Sequence, residues 1–321
     1  MGWDLYSISG IIYLIMGIYG TAHNLFTAVI FYTHKEFAKP MFSLMINLAI
    51  CDALELIVTA IYPAVRLLWY PELIEVTSLD EYMGWFSLMF WWAGGTTLVI
   101  ISFNRYVAVG HWTKMGDWFS KRNTWLYILV PHFILWGVFT PYYYLYQRGI
   151  MPYKQTALTF YFPHPITQYL DNFYNSICAG LQIAFNVCTV RCIRKLRQAA
   201  GSGSEGMSES RIQQERKLNK QCFITSIVHC LAVYCFIILL FTNKWTPTHP
   251  AFGTGVHIAW LGNHVCNPGI YTAFNTPFRV ITVRWFKGLC CMAGTDKVGP
   301  VGSVHTTEIT KSQNFVRKEA A

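Results

Sequence analysis

Asp52, Glu55 and Arg105 are charged side chains set inside stretches that are otherwise apolar. Arg105 closes the run from Tyr82 to Val109, within the triplet Asn104-Arg105-Tyr106. A guanidinium at the rim of a membrane span needs a polar partner or water, which makes it a functional candidate. Asp52 and Glu55 lie three residues apart and therefore share a helix face. Asn24 lies deep in another apolar stretch. A third holds Asn263, His264 and Asn267, the last within Asn267-Pro268-Gly269-Ile270-Tyr271. Carboxylates in lipid must face a bundle interior and find partners, so the economical arrangement is one network joining Asp52 to Asn24 and to the amides near Asn267. Pro268 removes a backbone hydrogen bond and gives its helix a hinge beside that network.

These groups must be positioned by membrane helices. Charged residues make up 13% of the 321 residues, well below the roughly 25% of a soluble domain, and 53% are hydrophobic. Apolar segments long enough to cross a bilayer run over 8–32, 42–65, 83–109, 124–146, 172–193, 222–242 and 252–274. Backbone hydrogen bonds must close within each segment, so these are helices, giving an all-α integral membrane bundle of seven transmembrane helices. The first segment, with Asp4 ahead of it and no basic leader, does not read as a cleavable signal. With the amino end outside, the inner side holds nearly all the basic residues, from Lys35 and Lys39 through Arg191–Arg197 to Arg279, Arg284 and Lys287. The outer side holds only Arg66, Arg148, Lys154 and Lys244. Orientation thus accounts for the net charge of +9, with anionic inner-leaflet lipids as its partner and no need of nucleic acid.

The expected organisation is a short extracellular amino end (1–7), a receptor domain (8–275), a surface helix (276–292) and a cytoplasmic tail (293–321). In the surface helix Phe278, Ile281, Trp285, Phe286 and Leu289 alternate with Arg279, Arg284 and Lys287, an amphipathic pattern suited to the inner membrane face. Cys290-Cys291 at its end suits palmitoylation. The Gly/Ser-rich stretch 201–206 is linker-like, and the charged stretch 208–221 extends the sixth span. The outer stretch 147–171, with Pro152, Pro163 and Pro165 among aromatic residues, reads as a lid. No cysteine falls in an outer loop, so no extracellular disulfide is expected, and there is no N-glycosylation sequon.

Taken in order, the motifs resemble those of the rhodopsin-like seven-helix receptors that activate heterotrimeric G proteins. Gly20-x3-Asn24 resembles the span-one motif, Asn47-Leu48-Ala49-Ile50-Cys51-Asp52 the span-two pattern, Asn104-Arg105-Tyr106 the span-three triplet and Asn267-Pro268-Gly269-Ile270-Tyr271 the span-seven motif. Phe278 stands where that family docks its surface helix. The departures are Asn104 in place of an acid, no span-three disulfide, no Cys-Trp-x-Pro in span six and no proline in span five. They make the chain look most similar to the nematode serpentine chemoreceptors, in particular their class T group.

The resemblance implies a plasma-membrane receptor, in the ciliary membrane of a sensory neuron, coupled to a heterotrimeric G protein, with no cofactor and no enzymatic role. It gives Asn104, Arg105, Tyr106, Asn267, Pro268 and Tyr271 the switch. Asn24, Asp52, Glu55, Asn263 and His264 form the polar core, where Glu55 or His264 takes the place of a sodium ion. Without an acid at Asn104, the inactive lock is weaker, or Arg105 relies on an acid such as Glu215 near the inner end of span six.

The pocket expected for a small extracellular ligand lies between the outer halves of the helices: Trp85, Phe86, Ser87, Phe90 and Trp91 on span three, His257 and Trp260 on span seven. It is aromatic and mostly neutral, and with no aspartate in the outer third of span three at the level of Ser87 an amine-binding salt bridge is not expected, so it suits a small hydrophobic chemosensory molecule. Span seven has no lysine, which excludes a retinal Schiff base. Trp69, Tyr70 and Tyr142–Tyr144 read as interfacial belt residues. Two other readings carry less. Glu72, Glu75, Asp80 and Glu81 could attract a basic neuropeptide, though a solvated acidic loop is the simpler reading. The histidines His23, His132, His229, His257 and His264 could serve a membrane enzyme or transporter, but no ligand-spaced metal set appears and single polar contacts are expected.

Overall fold

The computed structural model describes residues 4–72, 75–141, 151–163, 165–201, 209–242 and 249–292. Residues 202–206 of the expected linker, Tyr142–Tyr144, Arg148, Lys244 and the tail from 293 lie outside the described residues, as do the side chains of Cys290 and Cys291. Seven long helices follow in order: α1 Leu5–Thr33, α2 Pro40–Trp69, α3 Ser78–Gly110, α4 Lys121–Ile134, α5 Pro165–Gly201, α6 Glu209–Thr242 and α7 Pro250–Phe274. Helix α4 runs on into a wider turn at Leu135–Phe139. A further helix, α8, spans Thr276–Met292. The chain forms two compact units, Met1–Val280 and Ile281–Ala321, and the second contains the later part of α8.

Local chemistry sets the helix ends. Asp4 accepts the Ser7 backbone N–H to cap α1, and Ser120 accepts from Asn123 to cap α4. Pro40 and Pro250 occupy the first turns of α2 and α7, where a missing N–H costs nothing. Thr77 and Asp80 form a capping box at the start of α3. Five of these helices, α1, α2, α3, α5 and α6, are long and apolar enough to cross a membrane by length and composition. The buried polar groups of α7 lower its apolar character, yet its 25 residues extend about 37 Å, enough for a bilayer core of about 30 Å. Helices α2, α5 and α6 outrun the segments expected from hydropathy; α6 starts at Glu209, as the charged stretch ahead of its apolar part implies.

Burial follows a bundle in lipid. Tyr32, Phe133, Phe173, Ile15 and Leu231 are exposed on outward faces, where hydrocarbon would be their solvent. Inside, α3 packs against α2, α5 and α6, while α1 packs against α2 and α7. Helix α2 carries a π-type turn at Ile57–Ile61 just beyond Glu55. Such a turn frees a carbonyl, and that of Thr59 accepts the His257 Nε2–H at 2.7 Å, tying α2 to α7.

The outer lid is a small hairpin. Strands β1 (Tyr153–Lys154) and β2 (Thr159–Phe160) pair antiparallel, with Tyr153 opposite Phe160. Tyr153, Leu158 and Phe160 are buried. Leu158 adopts the left-handed conformation at φ 54°, rare for a branched side chain. The cost is offset by its burial beside α1, α2 and α7 and by the Tyr13 hydroxyl, which donates to its carbonyl at 2.9 Å. The lid seats on bare backbone: a Cβ on Gly84 would lie 1.6 Å from the Met151 carbonyl oxygen, and one on Gly253 1.8 Å from that of Ala157.

A buried ion pair ties the outer ends of α2 and α3. Arg66 at the outer end of α2 meets Asp80 at 3.0 Å, both buried. Asp80 also accepts from Tyr62 Oη and from the backbone and hydroxyl of Thr77, each at 2.7 Å. Asp80 is therefore an internal anchor and not part of a solvated acidic loop. Trp69 and Tyr70 are exposed at the same end.

Candidate functional site

Polar and aromatic groups line the bundle axis at three levels. At the inner level, Arg105 is buried near the end of α3. One guanidinium nitrogen donates to Asn104 Oδ1 at 2.7 Å and the other contacts Glu215 Oε2 on α6 at 3.1 Å. The side chains of the pair are 6% and 16% exposed, so the contact is mostly shielded from water. Below it opens a cleft of about 650 Å³, lined by Glu36, Lys39, Phe119, Arg105, Glu215 and Asn275. Tyr106 points elsewhere, its hydroxyl on His111 Nε2 at 3.0 Å.

At the middle level, Asp52 accepts from His264 Nδ1 and from Asn267 Nδ2, both at 2.7 Å. Asn24 does not reach Asp52. Its amide donates to the carbonyls of Gly20 and His264 at 3.0 Å, holding α1 to the α7 backbone one step from the carboxylate. Glu55 also stands apart, because its position one turn further out aims it at α3, where the Ser87 hydroxyl donates to it at 2.8 Å. Asn263 is buried nearby. A second tie links three helices: Asn47 donates to Thr97 at 2.8 Å and contacts His132 Nε2 at 3.1 Å, joining α2 to α3 and α4. Pro268 lies within α7 next to Asn267, and Tyr271 packs on Phe31, which also meets Phe278.

At the outer level, a cavity of about 20 Å³, room for about one water, is lined by Trp91, Trp260, Leu88, Met151, Phe236, Val233, Ala232, Asp171 and Asn175. Of the residues expected there, Trp91 and Trp260 line it. Ser87 turns to Glu55, and His257 to Thr59 and the hairpin, with Thr159 Oγ1 at 3.4 Å from its Nδ1. Trp85, Phe86 and Phe90 pack against Trp136 of the α4 extension. Hydropathy places the fifth span from 172, leaving Asp171 in a loop. Helix α5 in fact begins at Pro165, so Asp171 and Asn175 lie one turn apart on its buried face. The indole of Trp92 donates to Asp171 at 2.7 Å and that of Trp91 to Asn175 at 2.9 Å. Nothing in a lone Asp ahead of an apolar run signals this.

The family model of the serpentine-type seven-helix G-protein-coupled chemoreceptors Srx matches residues 14–275, most of the chain. The chain belongs to this family. The matching model is that of the Srx group, where the sequence motifs point to class T. The receptor is 19% identical to a probable G-protein coupled receptor of Caenorhabditis elegans over 85% of its own length, and spans 66% of that protein. Its fold is similar to that of squid rhodopsin, with a TM-score of 0.72 at 17% identity, covering 94% of this chain and 89% of that one. The fold is thus the seven-helix bundle of a membrane receptor, with Arg105, Asp52 and Asn267 at its axis.

Proposed function

We propose that the protein senses a small extracellular chemical at the outer cavity and activates a heterotrimeric G protein at the inner cleft, from a place in the plasma membrane of a sensory cell, its cilium included. The observation that carries this reading is the Arg105–Glu215 pair, which bridges α3 and α6 directly over the inner cleft. Helix α6 connects the two ends, since Ala232, Val233 and Phe236 line the outer cavity while Glu215 sits about 25 Å away along the same rigid rod. A ligand that wedges α6 outward at one end separates the pair at the other. The Pro268 hinge and the Asp52–His264–Asn267 cluster let α7 follow. On the inner side, Arg279, Arg284 and Lys287 of α8 face anionic lipid, with lipid chains on Cys290 and Cys291.

Asn104 supplies Arg105 with a neutral acceptor only. Hydrogen bonds to a charged partner contribute about 1 kcal/mol more than neutral ones, so Asn104→Asp should lower ligand-free nucleotide exchange on the coupled G protein about five-fold. An unchanged basal rate in a folded Asn104→Asp receptor would sink the idea that this residue restrains Arg105.

A further inference from the structure

The outer cavity is lined by a buried carboxyl group, that of Asp171. Asp171 is 2% exposed; the Trp92 indole donates to it at 2.7 Å, and the Asn175 side chain also bonds its carboxyl. Among the described residues no lysine, arginine or histidine makes a salt bridge with it; the ion pairs there are Arg66–Asp80, Arg105–Glu215 and His264–Asp52. A buried carboxylate is costly unless a counter-charge joins it. The lining also includes the aromatic residues Trp91, Trp260 and Phe236, and aromatic rings attract a cation at their faces. Trp260, also part of the lining, adds a second sign of an absent partner: it is 6% exposed and its indole N–H has no acceptor among the described residues. Asn175, one turn along α5, accepts from Trp91 through its Oδ1, and Asp171 is the carboxyl group of the lining.

We propose that the outer cavity takes small organic amines, the ammonium group held by Asp171 among Trp91, Trp260 and Phe236, and a hydrogen-bond acceptor on the same molecule held by the Trp260 indole. This rests on the receptor reading above and replaces the neutral, hydrophobic ligand expected from the sequence. The cavity is small, and Met151 of the lid forms part of its wall. Entry therefore requires that flexible thioether side chain to swing aside, which favours compact ligands.

The test uses the full chain in lipid nanodiscs, with thermal unfolding as the readout. The probes are isoamylamine, ethanolamine and 2-phenylethylamine, each against the neutral compound with hydroxyl or hydrogen in place of the amine. A ligand that binds the folded state raises Tm with concentration. The expected result is a concentration-dependent rise with at least one amine and not with its neutral counterpart, and at least ten-fold weaker binding in Asp171→Asn. The proposal is overturned if amine and neutral counterpart act alike, if no amine acts, or if a folded Asp171→Asn retains the wild-type response. Should Asp171→Asn fail to fold, the comparison of amine with neutral probe on the wild type decides alone. No G protein takes part in this readout. Failure of the amines is therefore distinct from failure of the receptor reading, which shows in ligand-free exchange by Glu215→Gln.

Discussion

Gly253→Ala is expected to destabilise the receptor by about 3 kcal/mol, although alanine favours a helix over glycine by about 1 kcal/mol. The reversal of sign comes from what faces the new methyl group. At Gly253 it would lie 1.8 Å from the carbonyl oxygen of Ala157 in the hairpin turn, backbone that cannot rotate away as a side chain can. The lid would lift, exposing Leu158 and breaking the Tyr13 hydrogen bond to it. Gly255 supplies the control. It lies two residues along the same helix with open space around its Cβ position, so Gly255→Ala should be neutral or mildly stabilising. Thermal unfolding of the two purified variants in detergent separates them. Equal Tm values would show that the lid does not seat on α7 as described.

Asp80→Asn carries an effect of similar size by a different route. The pair with Arg66 is buried on both sides, and removing one member leaves an uncompensated charge, typically at a cost of about 3–5 kcal/mol. Asparagine keeps the shape but only one acceptor oxygen, so the loss combines the charge with the donors of one oxygen, Tyr62 on Oδ1 or Arg66 and Thr77 on Oδ2. Replacing both members with apolar residues, Arg66→Met with Asp80→Leu, should recover part of the stability. A double variant as unstable as Asp80→Asn, measured as urea or thermal unfolding of the detergent-solubilised protein, would mean the pair is not the anchor between α2 and α3.

Much of the axis was legible from residue type. A carboxylate, an amide and a histidine in apolar helices must find partners, and Asp52, His264 and Asn267 find one another. Glu215 could be picked out because a helix-favouring charged stretch before span six places it level with Arg105. Other contacts depend on rotation and rise that spacing does not fix. Asn24 meets carbonyls instead of the carboxylate, and Glu55, one turn outward from Asp52, meets α3. The outer half was least legible. Asp80 looks like any loop acid until α3 is seen to start at Ser78, and Asp171 looks like a loop acid because hydropathy starts α5 too late. Gly84 and Gly253 read as ordinary helix glycines, since their reason lies in a hairpin distant in sequence.

We propose that Arg105 and Glu215 hold the receptor silent. Ligand-free nucleotide exchange on a panel of heterotrimeric G proteins, catalysed by purified wild type, Glu215→Gln and Arg105→Ala, tests it most directly. The pair is largely shielded, 6% and 16% exposed, and losing its charge should shift the balance by about 1 kcal/mol. Glu215→Gln should therefore raise basal exchange about five-fold on the G protein it couples to, while Arg105→Ala should abolish it. Basal exchange by a folded Glu215→Gln no higher than that of the wild type would contradict the account.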